Sequence, residues 1–278
     1  MANLKSMKAF VVMLATVSPA LLLCAGTPAF GQTQPVSADE KSAYFTMQPN
    51  PGEILYYIGF RTMVISAPAL DRSVVSPSGS EASFTILPGS TSSDLKMTTS
   101  ARIEGQFQVE NAPYELRDHG DTECFQGKCS PDHSASSMVA KASIWGLPAG
   151  PLHAGMSWTV EISHAWEFGP AGKQTIRVIS VDPEDGSVVL TRDGEGDGPR
   201  AQAGNTTVVT KGGHSYTVSV KRGRTHWSGK ATIQRGLIVS DECLADAEVE
   251  LSSPKFGKMT GRERMFMALM QHPEPIQY

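Results

Sequence analysis

Two histidines and two cysteines fall within fifteen residues of this chain, in the run His119-Gly-Asp121-Thr-Glu123-Cys124-Phe-Gln-Gly-Lys-Cys129-Ser-Pro-Asp132-His133, with carboxylates between them. Zinc takes four thiolate or imidazole ligands in a tetrahedron, and a loop can wrap such residues around one ion. The short C-x₂₋₄-C and H-x₃₋₅-H knuckles that usually carry zinc are missing. An oxidising compartment favours a disulfide between Cys124 and Cys129 instead, closing a tight loop turned by Gly127. A metal site through the His119–His133 loop stays open beside that reading. So does a pairing of Cys124 or Cys129 with Cys243, which otherwise stays free and buried.

A second run, Asp193-Gly-Glu195-Gly-Asp197-Gly198, alternates acids with glycines as calcium loops of the form D-x-[DN]-x-[DN]-G do. Here the third position is Glu, and Gly204 stands where the bidentate acid belongs. A solvated turn is the better reading. Nucleophilic catalysis has no local signature either, since neither G-x-S-x-G nor H-E-x-x-H occurs. His214 and Ser215 are neighbours, and neighbours on a strand point to opposite faces. A hydrolase would have to assemble its site in three dimensions, from Ser215, His214, His226 or His164 beside a carboxylate. Trp145, Trp158, Trp166 and Trp227 can line a pocket, but residues of this kind more often build a core.

The elements that position these groups are strands. Gly and Pro are frequent, and short runs rich in Thr, Ser and Val lie between them. Strands are predicted at 54–58 and 62–65 (one long strand or two), 82–87, 96–109, 138–145, 206–210, 214–220, 230–234, 236–239 and 248–251. The clearest unit is a hairpin in which 175–181 and 187–192 flank Asp182-Pro-Glu-Asp-Gly186. There Pro183 presets its φ and Gly186 can take the positive φ that reverses the chain. Residues 113–136 read as a long loop. Residues 262–271 suit a helix face or a strand, and the strand is preferred.

The N-terminus begins with Lys5 and Lys8, continues with an apolar run from Ala9 to Ala25, and offers Ala29-Phe30-Gly31 as a peptidase site. That is the layout of a secretory signal at 1–31, followed by a flexible lead-in at 32–52 and a β-rich domain at 53–272. The domain can also divide into two sheets, 53–112 and 137–272, joined by the cysteine-containing loop. The formal net charge is −4, with no basic cluster longer than Lys221-Arg222-Gly223-Arg224, so no nucleic-acid partner is expected. No membrane span is expected after signal cleavage.

From about 147 to 271 the chain resembles exported bacterial proteins with a LolA-like half-barrel fold. The residues that carry this are Pro151-Leu-His-Ala-Gly155-Met-Ser-Trp158, the hairpin through Asp182-Pro-Glu-Asp-Gly186, and Arg235-Gly-Leu-Ile-Val-Ser240. The resemblance implies an antiparallel meander curved into a half barrel. Better-known half barrels hold acyl chains or lipoproteins, and no catalytic or binding residue carries over from them.

Together these features predict an all-β, mainly antiparallel curved sheet or half barrel with few or no helices. The expected function is that of a non-enzymatic periplasmic or secreted protein. It would need no cofactor and would bind a lipid, another apolar ligand or an envelope component on its concave face. That face should be apolar and carry few charges, whereas a sheet closed tightly over side chains would count against the reading. The rivals are a secreted hydrolase and metal binding through the His119–His133 loop.

Overall fold

The computed structural model describes residues 43–103, 107–132, 137–201 and 204–274. The signal at 1–31, most of the lead-in and His133 lie outside them. Thirteen strands form one antiparallel sheet: β1 Ile54–Ser66, β2 Val74–Ile86, β3 Leu95–Ile103, β4 Phe107–Arg117, β5 Thr122–Phe125, β6 Lys128–Pro131, β7 Ser157–Ile162, β8 Gly172–Asp182, β9 Ser187–Asp197, β10 Thr206–Lys211, β11 His214–Gln234, β12 Leu237–Ser253 and β13 Gly257–His272. Their spatial order is β6-β5-β4-β3-β2-β1-β13-β12-β11-β9-β8-β7, and β10 pairs with β11 off this path. The all-β, antiparallel, curved character expected from the sequence is the character observed.

Alternation decides which face each strand buries. On β13, Met265 and Met267 are buried while Arg262 and Arg264 are exposed. On β12, the buried Cys243, Ala245, Ala247 and Val249 alternate with exposed Glu242, Leu244 and Glu248. The inward side chains form a large cluster and a smaller one. In the smaller cluster Ile65 of β1 joins Val218 of β11 and Val209 of β10, three and four strands away, so the sheet must curl to bring them together. Asp71 secures that end. Its carboxylate accepts the backbone N–H groups of Gly212 and Gly213 at 2.9 and 2.7 Å. These two bonds hold the acid below its usual value of 3.8. A depressed carboxyl stabilises the folded chain above its unfolded pKa and stops doing so as pH falls through the folded one. Asp71→Asn should therefore unfold at a lower denaturant concentration than the parent at neutral pH. The gap should close as acid titrates Asp71, and a gap that persists in acid would exclude this role.

The inward face is covered by irregular chain. Phe45 and Met47, from the described part of 32–52, are buried, and Gly236 N–H donates to Tyr44 O. These described residues pack against the sheet. A Cβ on Gly236 would lie 2.6 Å from Met47 N, and its φ of +73° suits glycine as well. Trp166 and Phe168, from the connection between β7 and β8, are fully buried.

Three expectations need correction. Within the predicted loop 113–136, the described residues 113–132 are not a long loop, because β4 runs to Arg117 and the β5–β6 hairpin follows. Charged residues at Glu115 and Arg117 hid the buried alternates Ala112 and Leu116. Residues 138–145 make only a single bridge, Val139 to Leu237, and then a one-turn helix, α1 Ala142–Trp145. A short apolar run buried on every side has no period to show which it will be. Finally, 193–198 is no turn, because β9 continues through Asp197. Its glycines face inward, where a Cβ on Gly194 would lie 2.6 Å from Trp227 Nε1.

Candidate functional site: the open face of the sheet

The described residues singled out for metal chemistry are engaged in structure. Cys124 and Cys129 are cross-strand partners in the β5–β6 hairpin and form a disulfide, while Cys243 is free and buried. Burial pushes the Cys243 thiol up to about 12. Asp121 accepts hydrogen bonds from the N–H and hydroxyl of Ser143, and Asp132 pairs with the buried Lys141 at 2.7 Å. His119 N–H donates to Ser93 O. Among the described residues no group of three His, Cys, Asp or Glu side chains is placed to hold a metal.

The hydrolase candidates do not converge. His214 and Ser215 both lie exposed at the start of β11, and His164 contacts the adjacent Ser163 hydroxyl at 3.3 Å. His226 Nε2 does meet Asp193 Oδ2 at 3.0 Å, on the uncovered face. Among the described residues no hydroxyl hydrogen-bonds to its other ring nitrogen. Of the tryptophans, Trp145, Trp166 and Trp227 are core and Trp158 is partly buried against it.

The inward face, the concave side on which the sequence places an apolar ligand, is filled by the chain's own side chains such as Trp166, Phe168 and Trp227, so that expectation of an apolar cradle is corrected. At its centre a buried crossbar joins three strands. Arg192 of β9 reaches across β11 to Asp241 of β12, Nη2 to Oδ1 2.6 Å. Its path lies over Gly229, where an added Cβ would come within 3.0 Å of Arg192 Nε and closer still to Glu242 O. The guanidinium also stacks on Trp145, 4.8 Å from the ring centroid. A second buried group sits lower on the same face. Glu263 accepts Arg222 Nη2 at 2.6 Å and Nε at 3.0 Å, and Arg200 Nε at 3.0 Å. Burial pushes Glu263 up, but the two arginines outweigh it and hold the acid below its usual range.

The crossbar fixes the strands whose alternate residues form the opposite, open face. Along one row of that face the register gives Arg177, Thr191, Lys230, Glu242, Ala268 and Phe60 on β8, β9, β11, β12, β13 and β1. The next row gives Thr175, Asp193, Ser228, Leu244 and Phe266 on β8, β9, β11, β12 and β13. A third is an ion-pair ladder, in which Arg264 and Arg262 share Asp246, Arg224 holds Glu195 and Lys173 holds Glu161.

Within this polar field lies an apolar stripe on the sheet's central strands. Phe60, Phe266, Leu244 and Met270 are 37–47% exposed, and Ile58 stands opposite Met270. A groove of about 710 Å³ runs from Phe266 and Leu244 to Arg177, and another of about 500 Å³ lies beside Phe60 and Ile58. The sequence signal for the stripe was the run Met265-Phe-Met-Ala-Leu-Met270, apolar on both parities, as a strand must be when both of its faces are.

No helix among the described residues is long and apolar enough to cross a membrane. No family model matches the chain, and no curated protein does. Among the solved structures similar to it are two. One is lipovitellin, in a structure of its lipid-protein interactions, with a TM-score of 0.42 and 11% identity over 83% of this chain and 27% of that one. The other is a triple mutant of a Rh. blastica porin, with a TM-score of 0.22 and 9% identity over 79% of this chain and 99% of that one. The chain thus spans about a quarter of the lipovitellin chain it matches. At these scores neither identifies a fold family.

Proposed function

We propose that this is an exported, non-enzymatic β protein that binds an apolar ligand or an apolar envelope component on the open face of its sheet. The observation that carries the reading is the contiguous stripe of Phe60, Met270, Phe266 and Leu244, left uncovered among the described residues and flanked by grooves. Scattered apolar residues on a surface are ordinary, but a connected patch bordered by polar rows marks a contact site. The inward face, filled by Trp166, Phe168 and Trp227, leaves the open face for this role. Export fits the disulfide, since such bonds persist in oxidising compartments, and the secretory layout at 1–31 belongs to the same reading.

Native mass spectrometry of the protein from its own envelope fraction should show a mass excess that denaturation removes. Phe60→Asp and Phe266→Asp place charge on the stripe without touching the core. They should weaken binding of a fluorescent apolar probe by about tenfold or more, in line with the apolar area lost. Unfolding midpoints should stay near that of the parent. Undiminished probe binding in both variants would remove the stripe from consideration.

A further inference from the structure

We infer that the ligand of the open face is a single-chain acyl anion, with its carboxylate held between Arg177 and Lys230 and its chain laid across Leu244 and Phe266 toward Phe60. This rests on the apolar-binder reading and adds the ligand's polarity and head chemistry.

Most cations around the groove are already paired. Arg262 and Arg264 are paired with Asp246, His226 with Asp193, Arg224 with Glu195 and Lys173 with Glu161. Arg177 and Lys230 make no ion pair with any described residue, and both line the groove that ends at Leu244 and Phe266. Register places them on either side of Thr191, one strand away in each direction. Thr175 and Ser228 stand one row further along, adding two hydroxyls to the same basin. Arg177, Lys230 and three hydroxyls around one point make a donor-rich seat for an anion.

Two carboxylates also face the groove. Asp193 is taken by His226. Glu242 lies opposite Lys230 on the side toward Phe266, so it repels an anion from the apolar end and leaves Thr191 as the place for the head. The apolar path is narrow. Leu244 stands between Glu242 and Asp246 on the same face of β12, each about 7 Å away along the strand. One acyl chain fits abreast, and two do not. From Thr191 to Phe60 the path crosses four strand spacings, about 19 Å, so only a long chain spans both ends.

The test titrates the purified full-length protein with oleate below its micelle concentration. Parallel titrations use monooleoylglycerol, which has the same chain and a neutral head, and oleoyl lysophosphatidate. Oleate should bind about tenfold more tightly than monooleoylglycerol, as two charge-assisted contacts allow. The double variant Arg177→Ala/Lys230→Ala should erase that advantage and leave monooleoylglycerol affinity unchanged, with its unfolding midpoint confirming the fold. Equal binding of oleate and monooleoylglycerol by the parent, or a preference kept by the variant, would overturn the head assignment while the apolar-binder reading stands. A strong preference for the lysophosphatidate would overturn the carboxylate. Failure of all three amphiphiles to bind would sink both readings.

Discussion

Asp241→Ala should destabilise the protein by about 3–5 kcal/mol, the cost of removing one partner from a buried ion pair. The charge left behind is Arg192, fully buried, and Asp241 is the carboxylate that its Nη2 meets at 2.6 Å. Its Nε and Nη1 make no close hydrogen bond in the structure, so the loss of Asp241 leaves the guanidinium with its aromatic contacts and the neighbouring Cys243 thiol. The crossbar also ties β9 to β12 over Gly229, and those strands carry Thr191 and Leu244 on the open face. Chemical denaturation checks the prediction. A double variant, Arg192→Met with Asp241→Leu, should recover much of the loss, because removing both charges spares the desolvation of either. If Asp241→Ala unfolds within about 1 kcal/mol of the parent, the pair carries no more than an ordinary surface contact does.

Trp227→Ala should cost about 3–5 kcal/mol, the usual range for emptying an aromatic site in a core. Trp227 is fully buried and stands edge-on to Trp166, with ring centroids 5.6 Å apart. Its indole N–H donates to Gln174 Oε1 at 2.9 Å, so the substitution also strips a partner from a buried amide. The space cannot be refilled cheaply. Gly169 and Gly194 press on the ring from two sides, and neither has a side chain to move in. Trp227→Phe should lose distinctly less, since it keeps most of the ring contact and gives up the hydrogen bond. Urea unfolding with near-ultraviolet circular dichroism separates the two variants. A Trp227→Phe loss as large as that of Trp227→Ala would show that the hydrogen bond, not the ring, dominates.

Much of the sheet was legible because its strands obey a period of two. The hairpin through Pro183 and Gly186 is legible from its turn chemistry between two strand-like runs, and the structure places β8 and β9 there. The lengths of β11 and β12 were not legible. Gly223 interrupts the first near a bulge between Arg222 and Thr225, and so its two halves read as separate strands. The cysteine pair was legible from spacing and compartment. The open-face stripe was not, because it depends on which strands become neighbours. Phe60 and Phe266 are far apart in sequence and come together only because β13 pairs with β1. The crossbar was hidden for the same reason. Arg192 reads as one more charged residue after a hairpin until β11 brings Asp241 within reach.

The pairing of β1 with β13 also governs when the chain can be finished. Tyr56 near the start of the sheet meets His272 near its end, so the central seam closes only after almost the whole sequence is available. Until then β1 and β12 present unpaired edges, and their many backbone donors and acceptors have only water or other chains to meet. A sheet closed by its last strand is a slow, late-folding object, since the entropy of a long loop is lost before the contacts reward it. That delay makes the half-finished chain a client for anything that shields exposed strand edges.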